Sequence, residues 1–198
     1  MFRADARKPS RGSNKTLGVG TEIRMVVLRA THKVLQLLPE SADAAPASTT
    51  ALGDWYVNRI VVDRQPLLLL VSANSLLPAI TTARDVKSLP KRLASVVGAR
   101  LSRLGIDQKI LGSETEALSS VAVARTANRS VVGQMVDFAK MLPFYLPKDG
   151  WTERDLKVAE DRLAETPCRS GGRFEDVIFP REATIRLLES KWHVGTVH

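Results

Sequence analysis

Residues 124–139, ARTANRSVVGQMVDFA, set Arg125, Asn128, Arg129 and Ser130 immediately ahead of an apolar run with helical spacing. Such a cluster is a candidate anion site. Asn128 is a good helix cap, and the N–H groups of the first turn, together with the helix dipole, attract a phosphate or carboxylate. Arg125 and Arg129 flank the position, and a guanidinium binds phosphate through two parallel hydrogen bonds. The Ser130 hydroxyl adds a further donor. The same residues read equally as a capped, solvated helix start whose arginines pair with surface acids.

A second candidate is ALGDWYVNR, residues 51–59. Asp54 precedes a strand-like run, and Asp54, Trp55, Tyr56 and Asn58 could line a pocket. Asp54 would be the base or acceptor and Trp55 a stacking surface. The plainer reading is a turn aspartate followed by core aromatics. Arg59 extends basic character along the same strand. His32, alone among the histidines in lying well inside the domain, is the obvious general acid or base near neutral pH. Cys168, next to Arg169, reads either as a reactive thiol or as a small buried hydrophobe.

Several chemistries lack their residues. Neither the three histidines nor the single cysteine gives zinc-ligand spacing, and there is no Walker loop, dinucleotide fingerprint or GxSxG elbow. The expectation is a protein without metal or cofactor.

The elements that would position these residues follow from pattern. The first strand is MVVLRA, followed by a short helix THKVLQLLP with Thr31 as cap and Pro39 as stop. WYVNRIVVD and PLLLLVSA form a hairpin joined at Arg64-Gln65, with Pro66 making its start irregular. In the first of these strands Trp55, Val57, Arg59 and Val61 face one way, and Tyr56, Asn58, Ile60 and Val62 the other. SLPKRLASVVGARLSRLG is an amphipathic helix capped by Ser88 and stopped by Gly105. A helix over 107–117, a strand SVAVA, and the helix carrying Val131, Met135, Phe138, Leu142 and Tyr145 come next. A helix capped by Thr152, a loop PCRSGGRFEDVIF and a last helix opened by Pro180 complete the chain. The sum is an α+β fold, a single domain over 25–198 with a small, mainly antiparallel sheet packed by several helices.

The 198 residues are 44% hydrophobic and 25% charged, enough for a real core and too balanced for a disordered chain. Net charge is +8 and the pI about 10.0. Half of that excess sits in residues 1–24, which read as a flexible basic arm. The remaining charge is modest for a domain of this size. A lone cysteine, no apolar run near the ~20 residues of a membrane span, and no signal-peptide core together predict a cytoplasmic protein with no membrane partner.

The segments TTALGDWYVNRIVVDRQPLLLLVSANSLLPAI, ARTANRSVVGQMVDFA and LAETPC, in that order, resemble a bacterial family known only as a domain of unknown function, with motifs LGDWYxN, TANRSVxGxMxDFA and LAETPC. The resemblance spans about residues 26–190. It implies one compact domain and no particular activity. Its matched polar positions are Asp54, Trp55, Asn58, Thr126, Asn128, Arg129, Ser130, Asp137 and Thr166. The chain departs from it at Arg59, where leucine is common, at Gln134, where serine is, and at Val136, where asparagine is.

Three functions are open on this reading. The first is a non-enzymatic accessory protein that binds RNA, DNA or an acidic protein, as in mobile-element, toxin–antitoxin or phage-defence systems. The second is a metal-independent enzyme on a phosphorylated or nucleotide substrate, with Arg125 and Arg129 holding the anion and Asp54 or His32 as base. The third is a protein–protein inhibitor or adaptor using the apolar stripe and MLPFYLP.

Overall fold

The computed structural model describes residues 24–38, 45–169 and 177–192. The expected arm up to residue 23, the helix end at Pro39, and His193 and His198 lie outside them. Five strands form the main sheet: β1 Val26–Ala30, β2 Trp55–Val62, β3 Gln65–Ser72, β4 Pro78–Thr82 and β5 Val121–Arg125, in the order β4-β3-β2-β1-β5. The β2–β3–β4 meander is antiparallel, whereas β1 runs parallel to both β2 and β5. The sheet is therefore mixed, within a single α+β domain.

Helical layers cover both faces. The short α1, His32–Leu35, follows β1; α2, Leu89–Arg103, and α3, Gln108–Ala117, lie between β4 and β5 in the chain. After β5 come α4, Arg129–Met141, a 3₁₀ turn, Leu142–Tyr145, and α5, Glu153–Ala164. A two-stranded ribbon, β6 Cys168–Arg169 with β7 Val177–Ile178, precedes α6, Pro180–Trp192. The alternation of β2 divides the interior as its pattern requires. Trp55 and Val57 join the first core with Leu93, Val97, Leu101 and Leu188. Tyr56, Ile60 and Val62 join the second with Val131, Met135, Phe138 and Leu156. The unbroken apolar run of β3 follows from this, since Leu68 and Leu70 serve one core and Leu67, Leu69 and Val71 the other.

Several local expectations are corrected. The hairpin turns at Asp63-Arg64, both with positive φ (48° and 65°), and not at Arg64-Gln65. Two left-handed residues in a two-residue loop match the twist of the strands. Pro66 sits in regular register opposite Val61, and its carbonyl accepts from Ala83 N. Its nitrogen therefore points away from β2, where no ladder bond is lost. Thr31 and Ser88 precede their helices without capping them through their side chains. The Thr31 hydroxyl donates instead to Asn58 Oδ1, and that of Ser88 to Asp85 O. β4 and the β6–β7 ribbon were not legible as strands. Gly105, at φ +77°, ends α2 as expected.

The free edge of β4 is covered by charge. Glu160 of α5 accepts from Ile80 N and from Arg103 Nη2, while Arg100 of α2 donates to Pro78 O at 3.0 Å, to Glu160 O at 3.2 Å and to Asp161. Burial pushes the Glu160 carboxyl above its ordinary range against the pull of Arg103 and the Ile80 N–H.

Candidate functional site

A cleft of about 810 Å³ opens where β1, the residues ahead of β2, and the start of α4 meet. Arg29, Ser48, Asp54, Tyr56, Asn128 and Arg129 supply its chemistry. The sheet explains why they converge. Arg29 pairs in register with Tyr56 across β1 and β2, so both side chains project from the same face. Asp54 stands one residue before β2, and α4 crosses that face with its first turn at the cleft.

The floor is a hydrogen-bonded unit. Asp54 accepts from Arg29 Nε through Oδ2 and from Ser48 Oγ through Oδ1 at 2.5 Å. Arg29 Nη1 also donates to the Arg125 carbonyl at 3.1 Å. The guanidinium is thereby fixed on two sides, with part of its donor edge left over. Gly53, at φ +71°, lets the chain turn into Asp54 beneath the Asn74 amide.

The wall is the start of α4. Asn128 caps it, its Oδ1 accepting from Ser130 N at 2.9 Å and Val131 N at 3.4 Å. The Asn128 N–H donates to the Tyr56 hydroxyl at 3.0 Å, tying the helix to the sheet. Tyr56 is 2% exposed. Arg129 is exposed, and among the described residues its guanidinium has no carboxylate partner.

The residues singled out by sequence separate in space. Asn128 and Arg129 line the cleft; Ser130 is exposed beside it, its N–H already taken by the cap. Two of the first-turn amides expected to be free are thus satisfied internally. Arg125 contributes its carbonyl and not its side chain. It pairs in register with Ala30, which belongs to the first core, so its side chain leaves the sheet on that side. Of the second set, Asp54 and Tyr56 line the cleft. Trp55 is fully buried in the first core, with Nε1 lacking a hydrogen-bond partner among the described residues, so it offers no stacking surface. Asn58 is partly buried and held by Thr31. Arg59 is exposed about 17 Å further along β2. His32 is exposed on α1, 3.0 Å from the Gln36 amide.

Sequence does not single out Arg29 or Ser48. Arg29 had a signal, a lone cation within the apolar strand MVVLRA. Ser48 had none, because its role depends on a fold-back that only the tertiary structure supplies. Cys168 is 2% exposed, and burial, with a smaller contribution from Asp137, pushes its thiol up to about 12. Cys168 is therefore the small buried hydrophobe of the two readings, not a reactive thiol.

The arrangement is rich in donors. Arg29, Arg129 and the Asn128 amide offer N–H groups, and Tyr56 a hydroxyl, while both Asp54 oxygens are engaged. Such a surface suits a ligand with several acceptor oxygens and negative charge. Among the described residues, no group of three His, Cys, Asp or Glu side chains is placed to hold a metal ion, and no helix is long and apolar enough to cross a membrane. A search of the curated proteins finds no match. The family model described as "Domain of unknown function (DUF6933)" matches residues 27–183, which include every residue of the cleft, and the chain belongs to that family.

Proposed function

We propose that the protein is a non-catalytic binding module for a phosphate-bearing polyanion, RNA or DNA, which it takes into the cleft between β1 and α4. The observation that carries this reading is the pairing of two guanidiniums in one open cleft. Arg29 is fixed at the floor by Asp54 and the Arg125 carbonyl, and Arg129 stands at the wall without a carboxylate partner among the described residues. The net charge of +8 supports a polyanionic ligand. The engagement of both Asp54 oxygens weighs against a reading in which Asp54 is a general base.

The test is affinity for labelled RNA and DNA oligonucleotides between about 50 and 200 mM salt. Wild-type protein binds at low salt, and log Kd rises linearly with log salt concentration. Arg129→Ala weakens binding and lowers the salt slope by about one. Absence of binding at the lowest salt, or an unchanged slope in the variant, contradicts the proposal.

A further inference from the structure

Beyond the cleft, one face of α4 stays open along its whole length. Arg129, Gly133, Val136 and Lys140, at i, i+4, i+7 and i+11, form an exposed line opposite the buried Val131, Met135 and Phe138. Phe144, in the 3₁₀ turn that follows, is 85% exposed, an unusual state for a large aromatic. Arg129 and Phe144 stand about 24 Å apart along this axis.

Two features of this line have no explanation inside the protein. Gly133 lies mid-helix with a Cβ position that would meet nothing within 4 Å, so packing does not require glycine there. Glycine weakens a helix relative to alanine, and its use is to let another backbone approach closely. Phe144, for its part, borders a pocket with Tyr145 and Arg162. The Arg162 guanidinium lies 5.8 Å from the centre of the Tyr145 ring and has no ion pair among the described residues. The one carboxylate bordering that pocket, Asp155, is occupied by the Thr152 N–H and hydroxyl at 2.8 and 2.7 Å. Lys140 has only a loose, exposed pairing with Asp137 at 3.8 Å. The charge left over along the line is positive at both ends.

We propose that this face of α4 is the track of a single strand of nucleic acid. A phosphate sits on Arg129 at the cleft, the sugar–phosphate chain passes over Gly133 and Val136 beside Lys140, and a base stacks on Phe144 next to Arg162. A duplex keeps its bases paired inside and has none to offer Phe144, so the ligand is single-stranded. Stacking on an exposed aromatic is tolerant of sequence, which makes this a general single-strand surface. The inference rests on the polyanion-binding reading and deepens it.

Full-length protein is tested with a labelled single strand of about twelve nucleotides, within the site sizes of single-strand-binding folds, and with the matching duplex. Wild type binds the single strand more tightly than the duplex. Phe144→Ala weakens single-strand binding at least about fivefold and leaves duplex binding unchanged. Gly133→Ala melts at or above the wild-type temperature yet binds the single strand more weakly, a combination that a purely structural glycine does not give. If wild type binds and Arg129→Ala weakens it, but Gly133→Ala and Phe144→Ala bind as wild type does, the track is overturned and the cleft reading stands. If wild type binds neither probe at low salt, both fall.

Discussion

Asp54 depends on its neighbours in a way that single residues can test. Gly53 carries a φ of +71°, and a Cβ there would lie 2.8 Å from the Asn74 side-chain amide, so that amide must shift. Gly53→Ala is expected to lose about 1–3 kcal/mol of stability in urea denaturation, from left-handed strain and the displaced amide together. A loss near zero would mean that the turn ahead of Asp54 is soft and does not fix the cleft floor. Cys168 gives a pH-dependent prediction. Its thiol is raised from an ordinary value of 9.0 to about 12 in the folded protein. The unfolded chain ionises first, so stability is intact below about pH 9 and falls as pH rises toward about 12. Cys168→Ala should show a shallower decline than wild type in urea midpoints over that range; parallel curves would contradict it. At this scale the sequence exposed Asp54, Asn128 and Arg129 because caps and turn acids have local signatures. Tyr56 and Ser48 acquire their roles from partners 72 and 6 residues away. No spacing rule announces those pairings.

Among the elements, β4 shows best what periodicity does not reach. It is five residues long, opens with Pro78, and becomes a strand through its ladder with β3 and its outer contacts. Those outer contacts are Glu160 and Arg100, which occupy groups that an edge strand would otherwise present to a neighbouring chain. Glu160→Ala leaves Arg103 without its nearer carboxylate and the Ile80 N–H without an acceptor. A loss of about 3–5 kcal/mol in chemical denaturation is expected, the range for breaking one side of a buried pair. A loss below about 1 kcal/mol would mean that the bracket on β4 contributes little. The longer helices were legible because their apolar positions repeat at helical spacing. Asn128, Thr152 and Gly105 mark their ends with side-chain caps or a left-handed glycine. Thr31 and Ser88 have the same residue types but spend their hydroxyls elsewhere, a choice made by tertiary partners.

Across the whole molecule, the mixed sheet separates two cores, and the cleft lies on the second-core side where α4 begins. Glu114 shows how the first-core side is tied to the same region. Fully buried, it accepts from Ala51 N, Leu52 N and Trp192 Nε1 at 2.9, 3.1 and 2.7 Å, holding the segment ahead of Asp54 to α3 and α6. The α+β class followed from the order of strand-like and helix-like segments. The parallel placement of β1 between β2 and β5, which brings Arg29 to Asp54 and α4 to Tyr56, did not, because strand order is set by packing and not by local pattern.

The most direct measurement is an amide and arginine side-chain NMR titration of the full chain with a short oligonucleotide at low salt. The account predicts shifts concentrated at Arg29 Nε, at the backbone amides of Asn128 to Val131 and at Tyr56, lost together when salt is raised. Binding that moves other surfaces and leaves these signals in place would contradict it.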